Sequence, residues 1–174
     1  MKTNEARLNS IIQYVKENYI AEEKLLRKSC VIKEAETIDN LEYSLFTPSQ
    51  IANIKKQSSN TWQRALFNHI DRKEMSEVEV YKRAYISKKT FSKIRCNSSY
   101  QPDKDTSIKM CIGLKLNIDE TLDLMSLAGH TLSRSLERDL VVRFFIEHRI
   151  YNIDEINYAL YDMDLKLLPI PQMD

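Results

Sequence analysis

An all-α protein is predicted by three features of the sequence. Apolar residues recur at three- and four-residue spacing through most of its 174 residues. The chain holds only two glycines, Gly113 and Gly129, and four prolines. Several periodic runs begin at Ser, Asn or Asp, the residues that cap helix N-termini. A chain of this length holds one compact domain with a sizeable core, or a smaller domain with an accessory arm. Two distant glycines also exclude a glycine-rich phosphate loop, a dinucleotide fingerprint and a nucleophile elbow.

Residues 4–35 carry Leu8, Ile11, Ile12, Val15 and Tyr19 on one helical face, which Leu25, Leu26, Cys30 and Val31 continue after a break or bend. This is one long helix or two, and serves either as a dimerisation arm or as a helix packed back on its own domain. Between residues 36 and 60, Asn40, Pro48 and polar clusters interrupt any long helix. A short helix is expected after Thr47 with Pro48 at its first position, and KKQSSN at 55–60 has linker composition. The boundary is placed there, separating an N-terminal helical arm, 1–60, from a second domain, 61–174. That domain opens with a helix over 62–73, whose stripe of Trp62, Leu66, Phe67 and Ile70 belongs to the core.

Residues 76–95, SEVEVYKRAYISKKTFSKIR, read as two short helices joined by a tight turn. Val78, Val80, Ala84 and Ile86 supply inward positions of the first half, Phe91 and Ile94 those of the second. Ser87 caps the second helix. Outward on it stand Lys88, Lys89, Thr90, Ser92, Lys93 and Arg95, cationic or hydroxyl-bearing side chains suited to phosphates and base edges. Charge is distributed accordingly. The net charge is only +1, yet residues 82–115 carry nine basic and two acidic side chains, and 116–174 carry five and eleven.

After residue 95, the polar loop CNSSYQPDKD leads to a helix capped by Asp103 that buries Ile108, Cys111, Ile112 and Leu116. NIDE occurs at 117–120 and at 152–155. Each pairs Asn with a Glu three residues on, as a capping box does, so both are helix starts and not a repeated active site. Gly129 closes the first of these helices as its C′ residue. Ser133 or Ser135 opens the next, which buries Leu136, Leu140, Val141, Phe144 and Phe145. Ile156, Ala159, Leu160 and Met163 line the last helix, and Pro169 and Pro171 stop LKLLPIP from continuing it. Leu165, Leu167 and Leu168 then close the core or, with the acidic character of 116–174, face a protein partner.

The core VYKRA-x-I-x-x-K-x-F-S-K-I-R at 80–95, with YQP at 100–102 and E-I-N-x-A-L at 155–160, resembles a bacterial subgroup of the lambda-repressor-like helix-turn-helix family over residues 61–168. The resemblance implies a lambda-repressor-like helix-turn-helix bundle, with an N-terminal helical arm and a C-terminal helical extension. It further implies sequence-specific binding of double-stranded DNA by a bacterial or phage transcriptional regulator. Lys88, Lys89, Thr90 and Lys93 would enter the major groove. Lys82, Arg83, Arg95 and Lys104 would serve phosphates, and Ser87 and Ser92 complete the DNA-facing surface. A two-fold dimer would hold its reading helices about 34 Å apart.

Three residues depart from that pattern. Tyr81 stands where a small residue is usual. Tyr85 occupies a turn position where glycine is common and a positive φ costs other residues roughly 1 kcal/mol. Glu77 replaces a glutamine that donates to a phosphate, which a carboxylate repels. These motivate a second expectation: a helix-turn-helix-derived adaptor in a bacterial or phage defence system, holding a protein partner through surface tyrosines.

Catalysis, metal and cofactor are not expected. Cys30, Cys96 and Cys111 lack metal-ligand spacing and fit free thiols in a reducing compartment, and His69, His130 and His148 are scattered over unrelated helices. No serine or cysteine has a base-orienting context. With no signal-peptide run in MKTNEARLNS and no stretch long enough to span a bilayer, a cytoplasmic protein without membrane contact is expected.

Overall fold

A computed structural model describes residues 2–20 and 61–171, with side chains from residue 6 onward. The described residues form eight α-helices and no strand: α1 Lys2–Asn18, α2 Trp62–Arg72, α3 Glu77–Arg83, α4 Lys88–Cys96, α5 Lys104–Gly113, α6 Ile118–Leu127, α7 Glu137–Glu147 and α8 Ile153–Asp162. The second half of the amino-terminal seam, the helix expected after Thr47 and the linker at 55–60 lie outside the described residues.

Among the described residues, 2–19 and 61–171 form one compact unit. The reason is the apolar stripe of α1. Ile11 and Val15 are buried, α1 packs on α7, and the Tyr14 ring meets Phe144 edge-on at 5.4 Å. Tyr14 Oη donates to Glu147 Oε2 at 2.7 Å, and Arg7 pairs with Glu155 of α8. α1 is therefore integral to the domain core.

At the centre lies α5. All residues of it from Ser107 to Gly113 are buried, so this helix has no solvent face and its apolar periodicity is blurred. It packs against α3 and α6. The approach to α3 is close: a Cβ on Gly113 would stand 2.9 Å from Val80 O and 3.0 Å from Ala84 Cβ. Only a residue without a side chain fits there.

Six of the helices end in one way. After α2, α3, α5, α6, α7 and α8 the second residue past the last helical one has a positive φ, at Glu74, Tyr85, Lys115, Gly129, Arg149 and Asp164. In every case the N–H of the following residue returns to the carbonyl five back, as Ile86 does to Tyr81 and Leu116 to Cys111. This is the Schellman closure, with its apolar residue at C″: Met75, Ile86, Leu116, Ile150 and Leu165, with His130 the exception. Only Gly129 uses glycine, so five residues accept left-handed backbone, at about 1 kcal/mol each. An N-cap follows directly at Ser76, Ser87 and Asn117.

The capping box at Asn117 and Glu120 is formed, and Asn152 and Asp103 cap their helices. Two other expectations need correction, and the tail leucines divide between the two placements left open for them. Val78 is 49 % exposed, because seven-residue α3 buries only the face of Val80 and Ala84, and Val78 is about 200° around the helix from Val80. Neither Ser133 nor Ser135 caps α7: its N-cap is Leu136, which is exposed and makes no capping bond. The polar loop instead turns towards Asp139, whose Oδ2 accepts from Ser133 N–H at 2.7 Å. Leu167 is exposed while Leu168 is buried.

Candidate nucleic-acid interface

α3, the turn at residues 84–86 and α4 form a corner whose geometry is set locally at both N-termini. Ser76 accepts from Glu79 N–H at 3.2 Å, and Ser87 from Thr90 N–H at 3.1 Å. Val80, Ala84, Ile86, Phe91 and Ile94 turn inward and are buried. The Phe91 ring lies 5.5 Å from that of Tyr81 and 6.0 Å from that of Phe67 on α2. Tyr81 thus neither stands free nor separates the helices: it packs on Phe91 while Ala84 permits the close contact.

Tyr85 takes the left-handed turn conformation with φ 47°. Its phenol donates to Asp154 Oδ2 at 2.7 Å, which raises its pKa because the bond holds the proton. The turn is thereby tied to the first residues of α8.

The basic residues of the corner divide into two groups. Lys82, Lys88, Lys89 and Lys93 are exposed and have no acidic partner among the described residues. Ser92 is exposed beside them. The others are engaged. Arg83 pairs with Glu79 one turn back at 2.8 Å, and Arg95 pairs with Glu77 at the start of α3. Lys104, expected along a phosphate backbone, reaches Asp139 Oδ2 at 2.5 Å, and that carboxylate is only 1 % exposed. The buried carboxylate thus has a cation beside it to offset the cost of burial. Ser87 and Thr90 hydroxyls bond each other at 2.9 Å. Lys109, counted in the basic stretch, is 5 % exposed and adds nothing to the surface.

The outer face of α4 is therefore a compact cationic surface of three lysines and a hydroxyl, extended by Lys82. Glu77, the residue expected to repel phosphate, has its charge offset by Arg95. No local pattern pointed to the partners of Arg95 and Lys104: Glu77 and Asp139 lie 18 and 35 residues away in sequence.

Among the described residues no helix is long and apolar enough to cross a membrane. No family model matches the chain, and no curated protein or solved structure matches it.

Proposed function

We propose that the chain binds double-stranded DNA sequence-specifically as a bacterial or phage transcriptional regulator, with α3 and α4 acting as a lambda-repressor-like helix-turn-helix. One observation carries this reading: Lys88, Lys89 and Lys93 project from one helix, exposed and without carboxylate partners among the described residues. In a helix-turn-helix the second helix lies in the major groove with its N-terminal residues on base edges, while the first crosses the backbone. Lys88 and Lys89 occupy the N-terminal turn of α4, and Lys82, near the end of α3, suits a phosphate.

The adaptor reading has less to rest on. Tyr81 and Tyr85, which favoured it, are half-buried and engaged with Phe91 and Asp154. Replacing Lys88, Lys89 and Lys93 together by Glu should abolish duplex binding with circular dichroism unchanged. Binding by the parent should weaken with salt by about 0.9 log units per log unit for each phosphate neutralised. Undiminished binding by the triple variant rejects this face. A parent without duplex affinity at low salt, but with a stable protein complex, would put the adaptor in its place.

A further inference from the structure

Residues 165–171, which follow α8, have no regular secondary structure, yet side chains from three helices grip four consecutive carbonyls. Arg138 of α7 donates Nε to Lys166 O at 2.7 Å and Nη2 to Leu167 O at 3.3 Å. Asn157 of α8 donates Nδ2 to Leu168 O at 3.0 Å and accepts from Leu168 N–H at 2.8 Å. Lys109 of α5 donates Nζ to Pro169 O at 2.9 Å. Between these, Leu168 is sunk into the core at 1 % exposure, whereas Leu167 and Ile170 are each 42 % exposed.

Such contacts read backbone, and use one leucine as anchor. Most side-chain bonds to backbone are local caps and turns, but these reach across 11 to 60 residues. Helix propensity does not place an Asn in the middle of α8, and a lysine is seldom buried as Lys109 is in α5. Both are explained by the segment they hold. Beside the start of the segment lies an open volume of about 460 Å³, lined by Tyr19, Ser135, Leu136, Arg138, Leu165 and Lys166 among others. In its own chain the segment enters the groove directly after the closure of α8, where Asp164 has φ 54° and Leu165 N–H returns to Leu160 O at 2.8 Å.

We propose that this groove is a peptide-binding site, filled here by the chain's own residues 165–171, and that it accepts the same residues of a second copy, so that copies exchange segments about a hinge at Asp164. The second copy fits because an identical sequence meets every donor and the leucine pocket, which makes exchange of an identical element a low-cost route to a dimer. The proposal does not rest on DNA binding.

The test uses the full chain carrying Leu168→Asp, in which the groove is intact but the chain's own anchor is spoiled. A fluorescent peptide of residues 165–171 should bind it saturably, and the peptide with the same substitution should not. Adding Asn157→Ala should weaken peptide binding tenfold or more, since two hydrogen bonds are lost. Mixed with the parent, the Leu168→Asp chain should form a one-to-one complex by light scattering. If Leu168→Asp unfolds the chain, the peptide should restore its helical circular dichroism; no rescue would mean a fixed piece of core and overturns the proposal. A folded variant that ignores the peptide overturns the site, and one that binds the peptide but never the parent overturns the exchange.

Discussion

Gly113→Ala is expected to destabilise the protein although alanine is the better helix former. The new Cβ would stand 2.9 Å from Val80 O, 3.0 Å from Ala84 Cβ and 3.1 Å from Ala84 N. None of these atoms can rotate away, so α3 must shift from α5 by several tenths of an ångström. Overpacking of this kind costs about 1–3 kcal/mol, and exchanging glycine for alanine in a helix returns at most about 1 kcal/mol. A net loss of about 1–2 kcal/mol lowers the melting midpoint by roughly 2–8 °C for a chain of this size. Gly129→Ala is the comparison, because nothing lies within 4 Å of its Cβ position and φ is +73°. Its cost of about 1 kcal/mol is wholly backbone strain, so Gly129→Asn should recover part of it while Gly113→Asn should be worse than Gly113→Ala. Thermal and urea unfolding followed by circular dichroism measure both. Ala84→Gly in the Gly113→Ala background should restore part of the loss in a double-mutant cycle. A Gly113→Ala protein as stable as the parent would refute the close approach of α3 to α5.

Further expectations concern charge. Asp139→Asn should cost about 2–4 kcal/mol, because Lys104 loses the buried carboxylate it matches; urea midpoints measure this, and a loss below 0.5 kcal/mol would show the pair to be incidental. Glu77→Gln frees Arg95 and, if α3 crosses the phosphate backbone, should raise duplex affinity severalfold and steepen the salt slope by about 0.9; fluorescence anisotropy from 50 to 200 mM salt decides it, an unchanged slope meaning that Arg95 stays away from phosphate. Burial lowers the pKa of His69 in the folded state, with Glu120 acting in opposition. The unfolded imidazole thus takes up a proton first as pH falls, so the stability from neutral His69 is present above about pH 6.5 and lost below it. His69→Asn should flatten the melting midpoint between pH 7 and 5, and an unaltered slope there would assign that acid limb to other groups.

Local physics made most elements legible. A helix N-cap involves only residues three apart, so Ser87, Asp103, Asn117 and Asn152 could be placed from sequence. The C-termini were equally local but masked, since the sign sought there was glycine. It was instead a polar residue, an apolar one and then a cap: Glu74-Met75-Ser76, Tyr85-Ile86-Ser87 and Lys115-Leu116-Asn117. Val78 and Leu136 misled because an apolar residue in a helical run is no guide to burial when the helix is two turns long or the residue lies at its edge.

The sequence by itself determined the all-helical character of the described residues, a pair of short helices at residues 76–95 and the lysines on the second of them, because periodicity, caps and side-chain type act within a turn or two of backbone. Only the tertiary structure decided which cations stay available. Lys104 and Arg95 are matched by Asp139 and Glu77, and Lys109 is enclosed among α5, the turn of the corner and the segment after α8. The docking of α1 on α7 was decided in the same way. Contacts between residues far apart in the chain depend on how the helices are packed, and a solvated charge and a buried pair are written with the same letters.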